Sequence, residues 1–227
     1  MTFAIISGAR SGTHMLRLAL SQHPDIHVSH ELLNPDRLGH RFGEETAETI
    51  IREWQQEHYR EVKQLGSLLH RDLYNRSEEI PGDPWRDVRR SHAKFISLYR
   101  YNLLRKVLSG RTAFVHKNWQ CTSPRTKELP PITLDPDHLE SHCRKEWRSF
   151  GLVDARLPRH FVISYEDLVS DWTYHTMAMQ EYLGVTPVQL HPRTHKQETR
   201  SLREAIANYD EIADRVCEMG CEDWLEE

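Results

Sequence analysis

Six residues able to handle an anion fall within positions 8 to 14, directly behind the apolar run Phe3, Ala4, Ile5, Ile6. Gly8 and Gly12 permit a close backbone approach, Ser11 and Thr13 add hydroxyl donors, and Arg10 adds a full positive charge. His14 follows at once. Such residues between a strand and a helix suit a phosphate or a similar oxyanion, because the first N–H groups of a helix are unpaired and carry about half a positive charge. The spacing GxxxxGK[ST] is missing, and no Lys is placed to reach a β- or γ-phosphate. The loop therefore suits one terminal phosphate better than a triphosphate with magnesium. A plain strand-to-helix turn is the alternative reading.

A second pair, His30 and Glu31, closes the segment DIHVSHEL. Ile26 and Val28 alternate with polar residues there, so Glu31 is expected at a strand end, where α/β sheets place their chemistry. Either residue can serve as a general base. Strict alternation sends neighbouring side chains to opposite faces, so only one of the two is expected to reach a common site, with Glu31 preferred. His30 is the rival because a free imidazole titrates nearer neutral pH. A third group follows the strand expected at 93–99: Arg100 at its end, then Asn102, Arg105 and Ser109.

The elements that must hold these residues are readable from periodicity. Strands are expected at 2–7, 26–31, 93–99 and 160–165, the third nearly continuous in apolar character as a central parallel strand should be. Met15, Leu16, Ala19 and Leu20 form a helical stripe that stops at His23-Pro24. One or two amphipathic helices are expected over 44–73, a helix from Asn102 through Ser109, and a mobile surface segment at about 110–130. Asp135 and Pro136 open a further helix closed by Gly151. Glu166 and Asp167 are expected to cap the helix after the fourth strand and to fix the loop, and Trp119 is open to lining an acceptor pocket. The last helix is expected to run from Leu202 to Val216 behind a capping box of Ser201 and Glu204. Strands alternating with helices predict one domain over 1–227 with a helical insertion at about 44–75. Its fold is a three-layer, P-loop-like α/β architecture: a central, mostly parallel sheet flanked by helices.

The formal net charge of −4 and mean hydropathy of −0.70 advertise neither nucleic acid nor a membrane, so an anion site must be local. Four cysteines lack CxxC pairs and fifteen histidines are scattered, so no metal is expected. Neither a signal peptide nor a membrane span is expected, which predicts a cytoplasmic protein.

The loop together with YRYNLLRKVLS at 99–109 resembles sulfotransferases that use 3'-phosphoadenosine 5'-phosphosulfate (PAPS), in particular a bacterial branch whose first loop reads Arg-Ser-Gly. HELLNP at 30–35, LDPDHL at 134–139, YEDLVSD at 165–171 and TRSLREAIANYDE at 199–211 extend the resemblance over nearly the whole chain. It implies transfer of a sulfuryl group from PAPS to a hydroxyl of a small molecule, sugar or lipid, with PAP as product. It further implies that Gly8, Arg10, Ser11, Gly12, Thr13 and His14 hold the 5'-phosphosulfate, with His14 donating to the sulfuryl oxygens. Arg100 with Ser109 would hold the 3'-phosphate, Arg105 being the substitute for Arg100, because Tyr101 stands where the family commonly has Arg. Glu31 matches the branch's base. The segment 196–200, with Lys196, corresponds to a late basic loop that closes over the nucleotide. Two other functions are compatible with the same residues: a P-loop-like small-molecule or nucleotide kinase, and a non-catalytic nucleotide-binding protein of the same fold. Helix outside the sheet also offers a surface for a homodimer.

Overall fold

The computed structural model describes residues 1–41, 43–58, 63–70, 79–117, 119, 129–157, 159–194 and 198–226. Five strands form one sheet: β1 (Thr2–Ser7), β2 (Ile26–Glu31), β3 (Gln64–His70), β4 (Lys94–Tyr99) and β5 (Phe161–Ser164). Their spatial order is β2-β3-β1-β4-β5, and every pairing is parallel. Around them lie α1 (Thr13–Leu20), α2 (Pro35–Leu38), α3 (Ala47–His58), α4 (Pro84–Ser91), α5 (Leu103–Val115), α6 (Pro136–Asp154), α7 (Tyr165–Ser170), α8 (Trp172–Leu183), α9 (Leu202–Ala205) and α10 (Tyr209–Glu218).

The central strand shows why the apolar run at 3–6 is unbroken. Side chains alternate faces along a strand, so one face of β1 sends Phe3 and Ile5 against α1 and α8. The other sends Ala4 and Ile6 against α3 and α4. Both faces are buried, and no polar position is needed. A third cluster joins α5, α6, α9 and α10 through Leu104, Leu139, Leu202 and Ile212.

The expected helix over 44–73, and with it the purely helical insertion, is corrected by the third strand. Helix α3 accounts for the stripe Ala47, Ile50, Ile51 and Trp54, but residues 64–70 pair on both sides, Val28 with Gly66 and Phe3 with Gly66. Leu65, Leu68 and Leu69 mimic a helical stripe, and the segment has no β-branched residue to signal a strand. Gly66 is there for space: a Cβ would stand 2.3 Å from Cζ of Phe3. Gly66→Val is therefore expected to destabilise the fold by about 1–3 kcal/mol or more through overpacking, read as a lower denaturant midpoint with an unchanged slope.

Other boundaries also move. Helix α5 continues past Ser109 and Gly110 to Val115, so the segment expected to be mobile starts later, and its residues 118 and 120–128 lie outside the described ones. Gly110 reads as a stop signal, yet Thr112 and Ala113 are buried and carry the helix onward. Gly151 is likewise internal to α6, which ends at Asp154, while Asp135 and Pro136 open it as expected. The single last helix divides into α9 and α10, because Ile206 leaves the helical path to bridge Ile132. The capping box of Ser201 and Glu204 is present.

The strand order creates one crevice. The chain leaves β1 toward β2, and leaves β4 toward β5, so the connections diverge beyond the C-terminal ends of β1 and β4. Ligands of open α/β sheets bind at such a switch point.

Candidate active site

The first loop and the end of β4 meet in that crevice. Arg10 Nε and Nη2 donate to Ser109 Oγ at 3.0 and 2.9 Å, and Nη1 donates to the carbonyl of Trp119 at 2.6 Å. In return Arg100 Nη1 donates to the carbonyl of Arg10 at 3.3 Å. Residues 90 or more positions apart thus form one basin. Burial first, and the neighbouring Arg100 second, hold the Arg10 guanidinium below its ordinary pKa.

Loop geometry explains the small residues. Arg10 and Gly12 have φ of 59° and 84°, so the backbone turns through the left-handed region before α1 begins. Gly12 is the N-cap and no side chain caps the helix, which leaves the first-turn N–H groups directed at the crevice. A Cβ on Gly12 would lie 2.6 Å from the ring of Tyr165, and one on Gly8 would lie 2.6 Å from Lys106 Nζ and 2.9 Å from Glu146 Oε2. Lys106 and Glu146 form a buried ion pair at 2.5 Å that underlies the loop. Thr13 Oγ1 is hydrogen-bonded to Ser7 Oγ, tying the helix start to the strand end. Ser11 is 1% exposed and its Oγ has no hydrogen-bond partner among the described residues.

Arg100 is held from three sides. Its guanidinium lies 4.7 Å from the Tyr165 ring centroid, its Nε is 3.7 Å from Glu166 Oε1, and Arg105 is near enough to disfavour its charge. Burial is the larger reason that its pKa falls. Glu166 also accepts from the backbone N–H groups of Tyr101 and Asn102, at 2.8 and 3.2 Å. Its expected role as a cap is thereby corrected. The cap of α7 is Ser164, paired with Asp167, whereas Glu166 reaches across to the loop after β4. Asn102 caps α5 and donates to the carbonyl of Trp224. The Arg105 and Ser109 positions are one helical turn apart on α5. Lys196 lies outside the described residues, and Arg200 of the same segment is bound to Glu198 and the Leu129 carbonyl.

On the other flank of His14 stand His30 and Glu31. The expectation that only one of the pair reaches the site does not hold. The imidazoles of His14 and His30 are 6.2 Å apart between centroids, and the charge of Glu31 acts on both rings. The reason is a bulge: Val28 pairs with Gly66 and Glu31 with Leu68, three steps along β2 against two along β3. An extra residue breaks the alternation and re-aims a side chain. Asn34 Nδ2 donates to Glu31 Oε2 and fixes that carboxylate. Both imidazoles are pushed below the ordinary value of 6.5, by burial first and the positive charge of Arg17 second. Trp119 is 56% exposed and enters the site through its carbonyl.

Sequence reasoning passed over Arg17, Arg37 and Tyr165. Arg17 sits three residues after His14 on α1, a spacing that puts the two on one face, and this was the available signal. Tyr165 stood within YEDLVSD, but nothing in that run tells that its ring fills the space beside Gly12.

Against solved structures, the chain matches a sulfotransferase from Alicyclobacillus acidocaldarius with a TM-score of 0.54 and 19% identity, over 99% of this chain and 95% of that one. The fold is that of a sulfotransferase. The sulfotransferase fold also agrees with the all-parallel sheet flanked by helices that the sequence predicted. Among curated proteins, nodulation protein H of Rhizobium tropici is 28% identical over 224 residues, 92% of this chain and 87% of that protein. Nodulation protein H of Rhizobium meliloti is 24% identical over 228 residues, 92% and 89% of the two chains. No family model matches the chain. Among the described residues no helix is long and apolar enough to cross a membrane, and no group of three metal-ligating side chains occurs.

Proposed function

We propose that this chain is a sulfotransferase that moves the sulfuryl group of PAPS to an acceptor hydroxyl. The observation that carries the reading is the joining of the first loop to the end of β4 and to α5 through Arg10, Ser109 and Arg100. One nucleotide with phosphates at both ribose ends spans such a basin; a nucleotide with a single phosphate chain leaves half of it unused. The residues fit the donor. The unpartnered Ser11 Oγ, the uncapped start of α1 and the space kept by Gly8 and Gly12 suit the 5'-phosphosulfate. Arg105 and Ser109, one turn apart, suit the 3'-phosphate, with Arg100 bracing the loop through the Arg10 carbonyl. The kinase reading is weaker, because the loop carries no Lys behind Gly12 for a β/γ-phosphate.

Chemistry then follows from placement. Glu31 accepts the proton of the acceptor hydroxyl as its oxygen bonds to sulfur, and the bond from sulfur to the bridging oxygen breaks. The electron pair leaves with the 5'-phosphate of PAP, whose growing charge faces Arg10 and the loop N–H groups. A neutral His14 donates one hydrogen bond to the transferring group.

Calorimetric titration with 3',5'-ADP (PAP), adenosine 5'-phosphate and magnesium ATP tests the reading. Selective binding that requires the 3'-phosphate is expected, and preference for magnesium ATP would reject it. His14 starts below 6.5 and a bound anion raises its pKa, so binding takes up protons and tightens as pH falls through the range around and below 6.5. Buffers of different ionisation enthalpy read that uptake.

A further inference from the structure

The positive charges of the site fall into two groups, and the sulfotransferase reading uses only one. Arg10, Arg100 and Arg105 act on one another: Arg100 on Arg10, and Arg105 on Arg100. Arg37 likewise acts on Arg17, and both act on His30. His14 feels Arg10, Arg17 and Arg37 together.

The second group is built rather than incidental. Arg17 projects from α1 one turn beyond Thr13 and His14, and its Nε is buried without a hydrogen-bond partner among the described residues. Arg37 is exposed and sits on α2, whose start is pinned by the Asn34 carbonyl accepting from the Arg37 N–H at 3.0 Å. The same Asn34 donates its side-chain amide to Glu31, so one turn of chain sets both the carboxylate and the second guanidinium. Among the described residues neither Arg17 nor Arg37 forms an ion pair, although Arg41, Arg100, Arg144 and Arg215 do. Two like charges kept together beside a single carboxylate repel unless an anion joins them.

Resting on that sulfotransferase reading, we infer that the acceptor carries an anionic group, a phosphate monoester or a carboxylate, which docks on Arg17 and Arg37 while its hydroxyl lies at Glu31. Arg17 follows His14 by one turn on α1, and Asn34 joins the Arg37 N–H to the Glu31 carboxylate, so an anion held by the two arginines lies beside Glu31 and away from the bonds of Arg10 to Ser109 and Trp119. A guanidinium pair holds a phosphate by short, charge-assisted hydrogen bonds and sets the distance from that anion to the reacting hydroxyl.

Methyl phosphate, acetate and methanol are the probes, titrated into PAP-saturated and PAP-free protein while histidine ring resonances are followed by NMR. Methyl phosphate is expected to bind PAP-saturated wild type and to shift His14 and His30, with methanol inert; acetate bound as well supports the carboxylate form of the acceptor, and methyl phosphate bound alone supports the phosphate monoester. Arg37→Met and the double variant Arg17→Met/Arg37→Met are expected to weaken methyl phosphate by about tenfold or more, with PAP affinity within about twofold of wild type. Arg37 is exposed, so its single variant keeps the test valid if the double variant does not fold. Methyl phosphate bound equally by wild type and variants, or not bound at all, overturns the inference. So does an equal loss of PAP and methyl phosphate, which would assign both arginines to the donor. Failure of wild type to bind PAP strikes the sulfotransferase reading instead, and the PAP-free titration then still decides whether the pair holds an anion.

Discussion

Glu31→Gln is expected to lower kcat by about 10²- to 10⁴-fold while leaving PAP affinity within about twofold, the range for loss of a positioned general base. The amide is isosteric, and its oxygen can still accept from Asn34 Nδ2, so the change removes the proton acceptor without removing the contact. The competing base is His30, and Glu31 is preferred because Asn34 Nδ2 holds its carboxylate in place. Burial and Arg17 both lower the pKa of His30 and of His14, which makes each imidazole a weaker base than a free one. His30→Gln is accordingly expected to cost far less than Glu31→Gln. Sulfuryl transfer from PAPS, followed as PAP release at several pH values, provides the measurement. A larger loss in His30→Gln, or an unchanged rate in Glu31→Gln, would reverse the assignment.

The parts of this site legible in the sequence are those in which residue type and local spacing speak together. The loop at 8–14 was readable because glycines, hydroxyls and a charge between a strand and a helix have few other uses. Four strands of the sheet were readable because β-branched or aromatic residues either dominate the run, as in β1, β4 and β5, or alternate with polar ones, as in β2. The strand at 64–70 was not, since leucines at helical intervals and a glycine carry no strand signature, and the need for Gly66 arises only when Phe3 lies over it. The pair His30 and Glu31 was misjudged for the same reason: alternation is a rule for regular strands, and the bulge in β2 depends on pairing with β3. Glu166, Tyr165 and Arg37 owe their roles to partners 60 or more, about 150 and about 20 residues away, and no local pattern reports such contacts.

Arg10 carries the largest binding effect. Arg10→Ala is expected to weaken PAP by about 30-fold to several thousand-fold, corresponding to about 2–5 kcal/mol for removing one side of a buried charged pair. Arg10→Lys is expected to recover part of this, since an ammonium restores charge but cannot span Ser109 Oγ and the Trp119 carbonyl as the guanidinium fork does. Loss of fold would confuse the result, and the backbone provides the control. At φ 59° Arg10 holds a conformation that costs a residue with a Cβ about 1 kcal/mol, and glycine adopts it freely. Arg10→Gly should therefore melt higher than Arg10→Ala, which loses the same bonds to Ser109 and Trp119 but keeps the strain, while losing PAP as severely. Strain retained where glycine would relieve it is what a functional guanidinium predicts. A merely structural Arg10 predicts that PAP affinity is little changed in both variants, and the lost bonds to Ser109 and Trp119 then show in the melting temperature alone.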